Sequence, residues 1–313
     1  MTLSALGIFS AAGAGGVLAP VAGYFLGGTT GTQVDTVDKF AFPSDTRSTL
    51  GTGLSAATQQ HSAMSNSGVA GYSAGGFTTS TVDTVNKFAF PSDSRTTLGT
   101  GLSAPARLGN GFANRAVAGY VVLGSTTAKV DTVNKFAFPS DSRTTLGTGL
   151  SSARTEGGTM ANWGVAGYVG GGETTTKVTT VDKFAFPADT RSTLGTGLSG
   201  VNSDPGGFAN RGVAGYIVGG SDLGDTITRV DKFAFPSDTR STLGTGLSPS
   251  MRFQGTMANS LVAGYSGGGQ TSGPSRIATV NKFAFPSDTR TTLATGLSSA
   301  REYVRAFDDS GTE

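Results

Sequence analysis

The sequence predicts an all-β fold: a six-bladed β-propeller of four-stranded antiparallel blades, its ring closed by pairing of a C-terminal strand with the N-terminal blade. Three observations predict it. The stretch VDKFAFPSDTRSTLGTGLS, residues 37–55, returns five more times in the same order. Two independent markers inside the repeat agree on its period. The composition is that of turn-rich β structure, with 49 glycines in 313 residues, 14% charged residues, and Val, Thr, Phe and Tyr in short runs.

The first marker is the lysine of KFAFP, at Lys39, Lys87, Lys135, Lys183, Lys232 and Lys282, spaced 48, 48, 48, 49 and 50. The second is the glycine of a Gly-Tyr pair, at Gly23, Gly71, Gly119, Gly167, Gly215 and Gly264, spaced 48, 48, 48, 48 and 49. Six units follow, near 21–55, 56–103, 104–151, 152–199, 200–248 and 249–298, with a closing strand in 299–313 and an Ala/Gly-rich leader at 1–20.

Each unit contains four strand-like segments separated by turn signals. GVAGYVGGG, 164–172, is an apolar run closed by glycines. TTVDKFAFP, 179–187, alternates, with Asp182, Phe184 and Phe186 on one side and Val181, Lys183 and Ala185 on the other, which is the period of two that a strand requires. A Pro-Ser/Ala-Asp turn leads into DTRSTLGTGLS: proline presets φ, and the Asp side chain is expected to cap the backbone amides that follow. The fourth segment, such as RTEGGTMAN at 154–162, ends in Asn-X-Gly or a close variant and feeds the next unit through a tight hairpin. Four short strands in about 48 residues is the pattern of a propeller blade.

A blade has two apolar faces and can bury neither alone, so a ring is the arrangement that leaves no uncovered end. The chain ends fit that ring. Phe307, Asp309 and Gly311 align with Phe208, Asn210 and Gly212, and the chain stops where Val21 to Gly28 already supplies the next segment. The C-terminal strand is therefore expected inside the first blade. The competing arrangement uses residues 5–16 as that innermost strand.

Absence of cysteine excludes a disulfide framework and a thiolate metal site. A formal charge of +2, with both signs interleaved, gives no field concentrated enough for nucleic acid. The first charged residue is Asp35 and the first basic one Lys39, so a signal-peptide reading of residues 1–34 lacks its basic start. A membrane span is not expected either, because GYFLGG at 23–28 already belongs to the repeat.

The repeat resembles that of the kelch-type β-propellers. The residues carrying the resemblance are the strand that ends in Gly-Gly (Gly27 and Gly28, Gly75 and Gly76, Gly171 and Gly172, Gly219 and Gly220, Gly268 and Gly269), followed by an aromatic and a proline turn (Phe40 and Pro43). It covers about 290 residues by repeat length. Leu123 replaces the first glycine in the third unit, and the outer-strand tryptophan usual in kelch units is absent. The start, MTLSALGIFSAAGAGG, resembles Ala/Gly leaders of some bacteriophage particle proteins, especially tail and adhesion components of marine phages. That resemblance implies a virion-surface location and release by lysis.

Catalytic chemistry finds little footing. His61 is the one histidine and lies in a variable segment, where a polar loop residue is the expected reading. Six repeated carboxylates, Asp45, Asp93, Asp141, Asp189, Asp238 and Asp288, each stand two before an arginine: Arg47, Arg95, Arg143, Arg191, Arg240 and Arg290. Six equivalent acids lack the asymmetry that acid/base catalysis needs, so turn caps and inter-blade salt bridges are expected of them. The six lysines are expected along apolar surface or beside carboxylates; the alternative is a ring of charge around a central channel. No metal or cofactor is implied, and the chain is read as non-enzymatic.

The copies disagree in two places. The segment after GLS reads AATQQHSAM, APARLGNGF, SARTEGGTM, GVNSDPGGF and PSMRFQGTM, and the loop after Gly-Gly reads TTGTQ, FTTST, ETTTK and SDLGDTITR among others. Strand directions alternate, so both variable regions fall on one face and the uniform turns on the other. The variable face is expected to carry Gln59, Gln60, His61, Arg107, Arg154, Glu156, Asp204, Arg252, Phe253, Gln254, Arg301 and Tyr303 as a ligand-binding rim. The uniform face suits a symmetric assembly, including self-association. The expectation is a binding or structural propeller on a phage particle, with other particle proteins or a cell-surface glycan or receptor as partners. A secreted or cell-surface carbohydrate-binding or carbohydrate-active bacterial propeller and a cytoplasmic kelch-like adaptor are the alternatives.

Overall fold

The computed structural model describes residues 22–273 and 275–309, and these form six four-stranded antiparallel sheets arranged as the blades of a propeller. Blade one shows the plan. From the axis outward it consists of Arg305–Asp308, Ala22–Leu26, Val37–Ala41 and Thr46–Thr49. The innermost strands of blades two to six are Ser62–Asn66, Asn110–Asn114, Gly158–Asn162, Gly206–Asn210 and Gly255–Asn259. These six strands neighbour one another in a closed circle, with Arg305–Asp308 between Gly255–Asn259 and Ser62–Asn66.

Closure follows the C-terminal route. Tyr24 pairs with Phe307 and Gly23 with Asp308, in the register that Tyr216 with Phe208 and Gly215 with Ala209 use inside blade five. The leader at 1–20, Val21 and Gly311 lie outside the described residues.

Among the described residues there is no single core. Six buried clusters occur, and each joins two adjacent blades, as Tyr24, Leu26, Val37 and Leu54 of blade one join Ala63 and Phe88 of blade two. Stacking covers both faces of every sheet. In the third strand of blade four Val181, Asp182 and Phe184 are all buried and Lys183 and Ala185 are half-buried, so the two sides predicted by alternation are both interior.

The Gly-Tyr marker has a steric cause. A Cβ on Gly167 would lie 2.1 Å from the Phe112 ring of the preceding blade, and one on Gly215 2.3 Å from the Met160 sulfur. The tyrosine that follows is tied to the next blade. Tyr24 donates to Asp93 Oδ1 at 2.7 Å while Lys39 Nζ holds Asp93 Oδ2 at 2.6 Å, and the same clasp recurs at all six interfaces. Each lysine ammonium also stands 5.3–5.5 Å from its own blade's tyrosine ring. The lysines therefore form no channel ring: opposite charge on the adjacent blade draws them into the interface.

The turn aspartates adopt left-handed backbone (φ 55–57°) and aim their carboxylates at that clasp rather than at the following amides. The local contact expected of them falls weakly to serine, as Ser44 Oγ accepts from Thr46 N at 3.4 Å. The arginines two residues on lie over the third strand, Arg47 being 3.6 Å from Asp38 and Arg191 3.8 Å from Asp182.

A second contact fixes each incoming crossover. The buried Asp or Asn that precedes the marker lysine accepts a backbone N–H from the crossover serine: Ser298 to Asp38, Ser55 to Asn86, Ser103 to Asn134, Ser151 to Asp182, Ser199 to Asp231 and Ser248 to Asn281, at 2.7–3.1 Å.

Candidate functional site

Crossovers from outer to inner strands share one face with the loops after the second strands. Isolated bridges join the two, as between Gln59 and Phe77, Arg107 and Ser125, Thr155 and Glu173, Ser203 and Ser221, Arg252 and Gln270, and Thr29 and Glu302. The two variable regions are thus brought onto one crossover face, and the hairpins and Pro-Ser-Asp turns occupy the other.

At the centre of the crossover face the chain turns down into each innermost strand, and one residue per blade is left-handed. These are Gln60 (φ 58°), Leu108 (57°), Glu156 (62°), Asp204 (59°), Phe253 (60°) and Tyr303 (54°). Left-handed backbone is costly for a residue with a Cβ, and Leu, Phe, Tyr and Gln are unusual choices for it. Amide-to-carbonyl bonds run from Leu108 to Gln60, Glu156 to Leu108, Asp204 to Glu156 and Phe253 to Asp204 at 2.8–3.3 Å, threading the ring around the axis. A repeated backbone therefore holds six dissimilar side chains around one mouth.

Their chemistry is grouped. The Glu156 and Asp204 carboxyls, on adjacent blades, act on each other, and a proton shared between them lets one donate to the other. Burial pushes Asp204 well above the usual carboxylate range, and the neighbouring Glu156 charge pushes the same way, against Arg252 and Arg305. Burial raises Glu156 too. Phe253 and Tyr303 stack with ring centroids 4.0 Å apart, and the Arg252 guanidinium lies 4.7 Å from the Phe253 ring while bonding Gln270 Oε1 at 2.9 and 3.1 Å. Burial, with the charges of Asp204 and Glu156, also raises the Tyr303 phenol. An acid pair, an aromatic pair and an arginine thus meet at one opening.

Below the mouth the axis is nearly filled. A cavity of about 30 Å³ remains, bordered by Asn110, Thr159, Gln254, Thr256 and Arg305, which is room for about one water. Glycines allow this: a Cβ on Gly111 would lie 2.1 Å from Ala63 O, and one on Gly207 2.1 Å from Thr159 O.

Of the expected rim residues, Gln60, Glu156, Asp204, Phe253 and Tyr303 stand in the ring. Gln59, Arg107 and Arg252 stand one position earlier, with Arg107 5.2 Å from the Phe77 ring. The others are turned inward. His61 is fully buried, against the polar loop residue expected of it, and burial with nearby Arg305 and Arg301 lowers it to about 3, so it is neutral at pH 7. Gln254 is buried, donating to Val218 O at 2.8 Å. Arg154 and Arg301 are buried in ion pairs with Asp182 (2.9 Å) and Asp38 (3.0 Å) and are not on the surface. The sequence reading passed over Leu108, although it stands 48 residues from both Gln60 and Glu156, and Arg305, whose signal lay only in strand direction.

The hairpin face differs. Val69, Val117, Val165, Val213 and Val262 are 42–47% exposed and recur from blade to blade as an apolar annulus. Inside it, Trp163 lies between Arg115 (4.4 Å) and Arg211 (4.0 Å).

Among the described residues no group of three or more metal-ligating side chains comes together, and no helix is long and apolar enough to cross a membrane. No protein-family model matches the chain, and no curated protein matches it.

Proposed function

We propose that this protein is a non-enzymatic binding propeller on the exterior of a bacteriophage particle, presenting its crossover face to a planar, hydroxyl-rich ligand such as a cell-surface glycan. One observation carries the binding reading: a strained ring of six left-handed non-glycine positions holds unlike side chains where glycine would be cheaper. Carboxyls, an arginine and the half-buried ring of Tyr303 are groups that accept, donate and stack against a sugar. The virion location rests on the leader resemblance.

A glycan-array screen of the intact chain beside Tyr303→Ala tests the reading. Binding that the variant loses at an unchanged thermal midpoint supports it. A wild-type chain that retains no glycan, or a variant that binds equally well, removes the glycan reading. Mass spectrometry of purified native particles tests the location.

The valine annulus favours a second role for the opposite face, attachment to a particle protein or to another copy. A ring of repeated apolar side chains suits a stacked, symmetric contact.

A further inference from the structure

The C-terminal segment must find blade one among six nearly identical docking places, and the structure holds two marks that separate them. The first is charge. Buried Asp appears in the third strand of blades one, four and five (Asp38, Asp182, Asp231) and Asn in blades two, three and six (Asn86, Asn134, Asn281). The residue four after the crossover leucine follows suit: Arg301 and Arg154 enter the blades of Asp38 and Asp182, whereas Thr58, Ala106 and Met251 enter the three Asn blades. Blade five receives Asn202, and its Asp231 is served instead by its own Arg229 at 3.7 Å.

The second mark is shape. Innermost strands alternate around the ring between a methionine class (Met64, Met160, Met257, blades two, four and six) and a phenylalanine class (Phe307, Phe112, Phe208, blades one, three and five). The classes interlock: Thr159 of one class donates to Gly111 O of the next at 2.7 Å, and Gly207 N donates to Thr256 Oγ1 at 3.0 Å. Two strands of one class side by side would lose that fit.

We infer that these marks act jointly as a docking code that assigns the C-terminal strand to blade one. Phe307 suits blades one, three and five, and Arg301 requires an aspartate whose Oδ2 is not already approached by an arginine of its own blade, since Arg47 and Arg240 reach only Oδ1 of Asp38 and Asp231 while Arg229 reaches Oδ2 of Asp231. Only blade one meets both conditions. Blade three offers Asn134, blade four has the wrong class, and the blade-five aspartate already has Arg229. A mismatched dock leaves a buried charge without its partner, which is the strongest penalty available to otherwise equivalent surfaces. In five blades the crossover is clamped 31–33 residues from its own third strand, where chain connectivity enforces the match; at blade one the separation is 260 residues. The code is needed where connectivity is weakest.

The natural lack of cysteine permits a direct test on the full chain. Thr29 and Glu302 bridge in the closed ring, and Ser125 is the blade-three equivalent of Thr29. After refolding from denaturant, Thr29→Cys with Glu302→Cys is expected to cross-link within one chain, and Ser125→Cys with Glu302→Cys is not. Adding Asn134→Asp gives blade three both marks: the 125–302 cross-link, within or between chains, should then rise at least severalfold. Adding Ala106→Arg, which serves the new aspartate locally, should return it to background. Should the Asn134→Asp protein misfold, a second variant decides: Arg301→Met with Asp38→Asn, copying Met251 and Asn281, should keep a folded chain but lower the 29–302 cross-link severalfold. No rise at 125–302 in a folded Asn134→Asp protein, or an unchanged 29–302 yield in the double variant, overturns the inference.

Discussion

Tyr265 donates its phenol hydroxyl to Asp45 Oδ1 at 2.8 Å, tying the sixth blade to the first across 220 residues of sequence. Lys282 holds the other carboxylate oxygen at 2.5 Å. These contacts hold the sixth blade to the first, and the Tyr24–Phe307 pairing inside blade one holds the C-terminal strand, so together they close the ring. Asp45→Ala is therefore expected to destabilise the chain by about 2 kcal/mol, the scale of losing charge-assisted hydrogen bonds. Asp141→Ala should cost about as much by denaturant unfolding. The distinguishing measurement is amide exchange along Ala22–Leu26, which should quicken in Asp45→Ala and not in Asp141→Ala.

The Gly-Tyr glycines should tolerate a methyl unequally. Gly167→Ala meets the flat, packed ring of Phe112, whereas Gly215→Ala meets the end of the flexible Met160 side chain. Both should be destabilising, by about 1–3 kcal/mol, with Gly167→Ala the worse of the two in thermal melts. Equal costs would show that the thioether is held as firmly as the ring.

His61 makes folding acid-sensitive. Its folded-state value is lowered to about 3 against 6.5 for a free imidazole, so below 6.5 the unfolded chain takes up a proton that the folded chain refuses. Stability should fall as pH drops from 6.5 toward 3, by up to about 1.4 kcal/mol per pH unit from this residue. Urea midpoints across that range, compared with His61→Gln, check it: the variant should lose most of the slope.

The Glu156–Asp204 pair acts on the other limb. Burial raises both carboxyls, and the Glu156 charge raises Asp204 further, so the protonated pair stabilises the fold at low pH, and that contribution is lost as pH rises through the folded-state value. Asp204→Asn keeps a donor and removes the charge. It should flatten the decline in thermal midpoint as pH rises above the ordinary carboxylate range, whereas Leu108→Asn, elsewhere in the same ring, should leave it unchanged.

Strain in the mouth can be tested by relieving it. Leu108→Gly should stabilise the protein by about 1 kcal/mol, because glycine enters the left-handed region without a Cβ penalty. Tyr303→Gly should gain less, since it also gives up the stack on Phe253.

The six blades, their strand order and the closing strand were legible because period, turn residues and alternation all point the same way. The fate of individual side chains was less so. Arg154 and Arg301 look like surface residues in a variable loop, yet each changes together with an Asp/Asn choice in the blade it enters, and that pairing becomes visible only once the crossover is seen to lie on the third strand. Asp45 reads locally as a turn cap because its long-range partners Tyr265 and Lys282 come from another blade. His61 reads as a loop residue because it lies where the copies differ, although the chain there already turns inward immediately before the innermost strand Ser62–Asn66. Leu108 drew no notice because it is apolar, although its left-handed backbone is what makes it equivalent to Glu156.

All six apolar clusters lie between sheets and none within one, so no single sheet is a self-sufficient module. A deletion of one repeat would bare two greasy surfaces at once, and the shortened chain would have to re-curve into a narrower wheel or clump. Repeat number in such a chain is therefore guarded by geometry: copies can be edited one letter at a time, but they are hard to discard whole.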